Sequence, residues 1–339
     1  MARREEILSA IYEADRLHAL YDTKGKAERG GGRVDVFRML FDRKVYVMFR
    51  PLRNLLGAYF SNPDTGVLVT TKRPLPVQRF TAAHELGHAA LGHDASLDDL
   101  EILERPIFVT DTSDDPREDQ ANAFAAQLLT PQWLIVHHMK QQGWRPQNLR
   151  EPVTVYQLAL RMGSSYSATC YALAECNAID RSIRDRLLQE RPKAIKQSLV
   201  KTYEPEHWRG DVWLVTERDH GLVLEGSRTD LVVLKFLEHS GSGYVWQFGD
   251  LVDAGMGIVE DGRVSVASDQ HIGGAVFRTV VAETQAAEGI HSHVNLREVR
   301  PWLPTGSPLN SLELDIDLSG PVRDGPHPIQ READLLEVA

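Results

Sequence analysis

The sequence predicts an α+β protein in two parts, mainly helical over residues 1–203 and all-β over residues 204–339. Three observations carry this. At 339 residues the chain is long enough that two cores are the expectation. Up to Leu199-Val200 its apolar residues recur mostly at helical spacing, with Pro and Gly near the segment ends. Beyond that point they fall into short runs separated by Gly, Asp and Ser turns, the spacing of a β-sandwich. The change falls near Tyr203-Glu204-Pro205.

Residues 5–20 read as an amphipathic helix, followed by a flexible Lys24–Gly32 stretch with three consecutive glycines. A short helix (35–43), a strand (Val45–Phe49) and a hairpin around Asn62-Pro63-Asp64-Thr65-Gly66 come next. A longer helix begins near Pro76 and ends near Gly92, with Val77, Phe80, Leu86, Ala89, Ala90 and Leu91 as its buried side. Ser113 to Asp115 offer N-caps for another, Pro116 suits its first turn, and an Ala- and Leu-rich stretch carries it to Leu129. Helices continue from 132 to about 200, and Val155–Ile179 looks like a helix–turn–helix with Gly163-Ser164-Ser165 as the turn. The strands expected in the second part are 212–215, 222–224, 231–234, 264–266, 276–282 and 312–318. In the tail from Val322, Ile329–Val338 reads as a short helix.

Acidic residues outnumber basic ones, 48 to 38, for a formal charge of −10. That disfavours nonspecific attraction to nucleic acid or to a membrane surface. In the helix–turn–helix only Arg161, with the more distant Arg181 and Arg184, supplies positive charge, so direct nucleic-acid binding is the weakest reading. No apolar run approaches the ~18 residues of a membrane span, and the first residues lack a signal-peptide core. The two cysteines, Cys170 and Cys176, lie six apart in one expected helix and face different sides. A reducing cytoplasm is the simplest compartment.

His84-Glu85-Leu86-Gly87-His88 concentrates the chemistry. Positions i and i+4 of a helix share a face one turn apart, so both imidazoles can point at one metal ion. Glu85 sits where its carboxylate can reach a water at that metal, the zinc-peptidase pattern of two ligands and a general base. A zinc site of this kind needs a third protein ligand. On an uninterrupted helix His93 is rotated well away from the pair, and it reads as a helix-end histidine. Glu118 is the better third ligand. Asn122, one turn on, can accept a hydrogen bond from the far nitrogen of a ligating histidine. Asp119 is the next candidate, although it fits the acidic first turn that the helix dipole favours.

These segments resemble the ImmA/IrrE family of metallopeptidases. The likeness rests on Gly32-Arg33-Val34-Asp35-Val36-Phe37-Arg38, Leu56-Gly57-Ala58-Tyr59, Gln78 to His88, and Glu118 followed by Ala121 to Pro131. It extends through Ser167–Glu175 and covers roughly residues 30–180. Thr130 departs from it, standing where many members have Met. The resemblance implies a zincin-like metallopeptidase domain over residues 1–203, with Glu118 as third ligand of one zinc ion. Manganese or iron can also occupy such a donor set. It further implies narrow specificity, with a separate helix–turn–helix repressor as the protein substrate whose cleavage switches on a response. Tyr59, His93, Tyr156 and Tyr171 are candidates for the oxyanion donor or a substrate contact, and the sequence does not choose among them.

The second part resembles chagasin-like inhibitors of papain-type cysteine peptidases over residues 209–320. Ser242-Gly243-Tyr244-Val245-Trp246, Gly273-Gly274 and Arg300-Pro301-Trp302 follow the order of their three loops. The resemblance implies an immunoglobulin-like sandwich over residues 204–339, including the tail, with three loops at one end. His239-Ser240-Gly241 replaces Asn-Pro-Thr, and the glycine loop is abbreviated. Substrate or partner recognition is therefore favoured over inhibition, with the loops as a site for a second protein partner. Trp246 and Trp302 also read as plugs of the sandwich. The competing reading is a regulatory binding protein with a latent zinc site, whose β-domain captures or inhibits a peptidase.

Overall fold

Asp35 opens a well-capped helix early in the chain: its side chain accepts from the Arg38 backbone N–H at 3.0 Å. The structure is a computed structural model that describes residues 2–53, 55–61, 65–94, 96–99, 115–200, 202–265, 275–303 and 306–338. The chain divides into two units. One comprises Met1–Met139, Arg145–Gln189 and Pro321–Ala339; the other, Lys140–Trp144 with Glu190–Gly320.

In the first unit α1 is Ala2–Leu20, α2 Thr23–Lys26 and α3 Val36–Asp42. The Lys24–Gly32 stretch, expected as flexible, instead continues α2 into a π-turn over Ala27–Gly31. Asp22 starts it by accepting from the Gly25 N–H at 3.3 Å. Strands β1 (Tyr46–Arg50), β2 (Leu55–Phe60) and β3 (Gly66–Thr70) lead into α4 (Leu75–Leu91), after which β4 is Ser96–Asp99. Of the expected hairpin, Asn62, Pro63 and Asp64 lie outside the described residues. Next come α5 (Pro116–Leu129), α6 (Gln132–Gln142), α7 (Pro152–Met162), α8 (Tyr166–Glu175) and α9 (Arg181–Gln189). Cys170 and Cys176 are both free thiols, and burial pushes the Cys170 thiol up to about 12.

The sheet of this unit takes its last strand from the end of the chain. Gly325–Pro326 forms β13, and the strand order is β13-β1-β3-β2-β4. β1 runs parallel to β3, while β2 lies antiparallel to β3 and β4. Beyond β13, the Gln330 amide replaces a strand backbone: its Oε1 accepts from Val47 N–H at 3.0 Å and its Nε2 donates to the Val45 carbonyl at 3.3 Å. His327 stacks on Phe37 with ring centroids 4.6 Å apart. The helix expected at 329–338 is α12, Pro328–Val338, as the last element of the chain.

The middle of helix α4 is enclosed on every side, with every residue from Thr81 to His88 buried. Of the six apolar residues expected to form its buried face, only Leu86 is fully covered. A helix at the centre of a unit has no single apolar stripe, because its small and polar residues are covered as well. Gly87 lets α5 approach closely, since a Cβ there would lie 3.1 Å from the Phe124 ring and 3.2 Å from Ala121 Cα. The helix–turn–helix at α7 and α8 is present. Arg161, its nearest cation, is buried and donates to the Gln157 carbonyl and Oε1 at 3.1 and 3.0 Å. It offers no exposed charge to a phosphate backbone.

The second unit opens with α10 (Pro192–Val200). It then has β5 (Val212–Val215), β6 (Leu222–Glu225), β7 (Leu231–Glu238) and β8 (Val245–Gln247). A short α11 (Gly249–Asp253) precedes β9 (Met256–Ser265), β10 (Val276–Thr284), β11 (His291–Val299) and β12 (Asn310–Asp317). These strands form two four-stranded sheets, β5-β7-β10-β9 and β6-β12-β11-β8. Strand β11 was not expected. His291, His293, Asn295 and Arg297 occupy alternate positions, and the opposite set ends on a buried carboxylate, Glu298, rather than an apolar residue. Val266 of the expected 264–266 strand lies outside the described residues.

Two such carboxylates anchor the 239–244 loop. Glu238 accepts from Trp246 N–H (3.1 Å), Arg263 Nε (2.7 Å) and Arg278 Nη1 (2.9 Å). Glu298 accepts from the His239 N–H at 2.6 Å and from Asn310 Nδ2 at 2.7 Å. Trp246 is buried against Phe236, ring centroids 4.6 Å apart, and plugs the core. Trp302 does not: it is 63% exposed.

Candidate metal centre

The site is built by α4, α5 and β2. On α4, His84 and His88 lie one turn apart and their Nε2 atoms face each other at 3.0 Å. Helix α5 starts at Asp115, whose side chain accepts from Arg117 N–H at 2.9 Å, and the hydrogen bonds from Arg117 hold the Asp115 carboxyl down at about 2. Three residues later Glu118 brings Oε2 to 3.2 Å from His84 Nε2 and Oε1 to 3.5 Å from His88 Nε2. Oε2 is buried and accepts no hydrogen bond among the described residues.

This triangle fits a metal. Tetrahedral zinc holds N and O ligands at about 2.0–2.2 Å, which places neighbouring donors roughly 3.3–3.5 Å apart. The three donor separations, 3.0 to 3.5 Å, bracket that range. Among the described residues His84, His88 and Glu118 are the group able to hold an ion in this way. Asn122 Oδ1 lies 3.0 Å from His84 Nδ1 and accepts a hydrogen bond from its N–H, so the His84 Nε2 lone pair faces the centre. Asp119, the other candidate ligand, is turned away: Arg3 of α1 donates to its Oδ2, through Nε at 2.9 Å and through Nη2.

Glu85 is fully buried one residue after His84. Gly57 makes room for it, because a Cβ at this point of β2 would lie 2.7 Å from Glu85 Oε1 and would collide with Thr81 Cγ2. Tyr59, two residues on, shares the face of β2 on which Gly57 meets α4. Tyr156 is buried in α7, and the Tyr171 ring sits under Arg184 at 5.3 Å. His93 is not rotated away. Gly92 ends α4 in the left-handed region at φ 72°, and the His93 N–H turns back to the His88 carbonyl at 3.0 Å. The ring follows, placing Nδ1 2.9 Å from His88 Nδ1 and Nε2 3.1 Å from Gln120 Oε1. Sequence reasoning missed the parts played by Gly57 and Gln120. Gln120 is two residues from Glu118, on another face of a regular helix, so helical spacing does not flag it.

In the second unit the loops around Tyr244 and Trp302 meet. Arg300 donates to the Ser242 carbonyl at 3.2 Å and covers the Tyr244 ring at 4.5 Å, and a Cβ on Gly243 would strike the Trp302 ring. Pro301 is exposed between them. Gly273 and Gly274 lie outside the described residues.

A mainly helical, zincin-like domain with a His-His-Glu donor set is the class that the fold and site define. Residues 42–174 match the family model for a peptidase family described as the IrrE N-terminal-like domain, a stretch that takes in all three donors and Glu85. A cysteine protease inhibitor from Entamoeba histolytica is similar in structure at 18% identity, covering 32% of this chain and 96% of its own, with a TM-score of 0.28. No curated protein matches the sequence. Among the described residues no helix is long and apolar enough to cross a membrane.

Proposed function

We propose that the chain is a zinc-dependent endopeptidase of the cell interior that cleaves one intracellular regulator. The observation that carries this reading is the triangle of His84, His88 and Glu118 donors with the buried Glu85 carboxylate beside it. The family match over residues 42–174 supports peptide hydrolysis as the chemistry.

Bound there, zinc would act as a Lewis acid on the scissile carbonyl and lower the pKa of a coordinated water. Glu85 takes the proton of the attacking water on its carboxylate. It returns that proton to the departing amine as the C–N bond breaks. A structural zinc site has no use for a buried carboxylate in this position. Tyr59 and Tyr156 are the candidates left for the oxyanion donor, since His93 has both ring nitrogens engaged and the Tyr171 ring is covered by Arg184.

The resemblance to ImmA/IrrE peptidases supports a DNA-binding repressor as the substrate. The β-unit has the character of a recognition module: Tyr244, Arg300 and Trp302 form one cluster, with the Trp302 ring presented to solvent. The test is terminal-peptide mass spectrometry on source-cell extract incubated with zinc-loaded wild type or Glu85→Gln protein. New termini in one DNA-binding regulator, produced by wild type alone, are the expected result. Equal zinc content in both proteins with no Glu85-dependent termini would refute the peptidase reading in favour of a binding protein.

A further inference from the structure

His84 and His88 must both present a bare Nε2 to a metal, and His84 has an obvious means in Asn122. The corresponding partner of His88 is another imidazole. His93 Nδ1 stands 2.9 Å from His88 Nδ1, and its Nε2 stands 3.1 Å from Gln120 Oε1. A carbonyl oxygen only accepts, so Gln120 Oε1 requires the His93 proton on Nε2. His93 Nδ1 is then an acceptor, and the hydrogen between the two rings belongs to His88 Nδ1. That leaves the His88 Nε2 lone pair facing His84 Nε2 and Glu118.

We infer that His93 and Gln120 are positioning residues that fix the tautomer and ring orientation of His88, as Asn122 does for His84. The inference rests on the zinc-site reading above. Helix α5 then has a double role, because Glu118, Gln120 and Asn122, alternating along its first turns, supply a ligand and the outer partners of both histidines. His93 reaches its place only because Gly92 reverses the chain at the end of α4. Removing such an outer-shell partner typically weakens metal affinity about 10–100-fold.

The experiment measures the zinc dissociation constant by competition with a chromophoric chelator, and the visible spectrum of the cobalt(II)-substituted protein. It compares wild type, His93→Phe, His93→Gln and Gln120→Leu full-length proteins. His93→Phe keeps a ring but no acceptor, and is expected to bind zinc about 10–100-fold more weakly with an altered cobalt spectrum. His93→Gln restores an acceptor and should recover most of the affinity, a rescue that packing alone would not produce. Gln120→Leu leaves the His93 tautomer unfixed and should weaken binding in the same direction by a smaller factor; it also serves if His93→Phe does not fold. Wild-type affinity in His93→Phe, or equal losses in the Phe and Gln variants, would overturn the inference while leaving the zinc site standing. A wild-type protein that takes up no stoichiometric zinc would overturn the site itself.

Discussion

Gly57→Ala is the most demanding test of how the site is assembled. The added methyl would sit 2.7 Å from Glu85 Oε1 and 2.9 Å from the Leu68 carbonyl, and closer still to Thr81 Cγ2. Ordinary contact begins near ~3.5 Å, so Glu85 must yield by about 0.8 Å. It has nowhere to go, because α4 is buried from Thr81 to His88 and the Leu68 carbonyl is backbone. Overpacking of this kind costs roughly 1–3 kcal/mol, and displacing a catalytic group by about 1 Å can cost roughly 100-fold in rate. Urea unfolding should therefore show a lowered midpoint, and cleavage of the substrate that the terminal-peptide experiment finds should fall by about one to two orders of magnitude. Zinc stoichiometry should hold, since no donor is touched. Adding Thr81→Ser removes Cγ2 and should recover part of the stability without recovering turnover, because the contacts with Glu85 and the Leu68 carbonyl persist. Wild-type stability and turnover in Gly57→Ala would show that Glu85 does not lie against β2.

Two further predictions concern the β-unit. Trp246→Ala should cost about 3–5 kcal/mol as a core truncation, whereas Trp302→Ala should leave stability within about 0.5 kcal/mol. Comparing their urea midpoints separates plug from surface residue, and equal losses would contradict the assignment. Asp230 is buried beside Asp211, and burial, with the neighbouring Asp211 charge, raises its carboxyl from 3.8 to about 6. A raised folded pKa gives stability that is fully present below about pH 4, the ordinary carboxylate range, and is lost as pH rises through the folded value. Asp230→Asn should remove that slope from stability measured between about pH 4 and 7, and an unchanged slope would refute it.

The pairs His84 with His88 and Glu118 with Asn122 were legible because helical spacing is a local rule, whereas the meeting of the two helices is long-range information that only the family resemblance supplied. His93 was not, because helical geometry is the wrong frame once a left-handed Gly92 ends the helix. The apolar face of α4 was misjudged for a related reason, since periodicity marks a buried side only where another side meets water. Strand β11 escaped because buried Glu298 occupies a place where alternation expects an apolar residue. The tail's strand is two residues, Gly325–Pro326, with a side-chain amide completing its bonds, and no sequence pattern of strands describes that.

That tail sets a timetable. About 135 residues separate the last helix of the first unit's main body, α9, from the strand that pairs with β1. At roughly 5–20 residues per second, synthesis of the intervening stretch takes on the order of ten seconds. During that time β1 has an unpaired edge, and Val45 and Val47 lack their Gln330 partners. The sheet beside α4 is thus completed only when synthesis has passed Gln330, so a chain released before that point lacks the partners of β1.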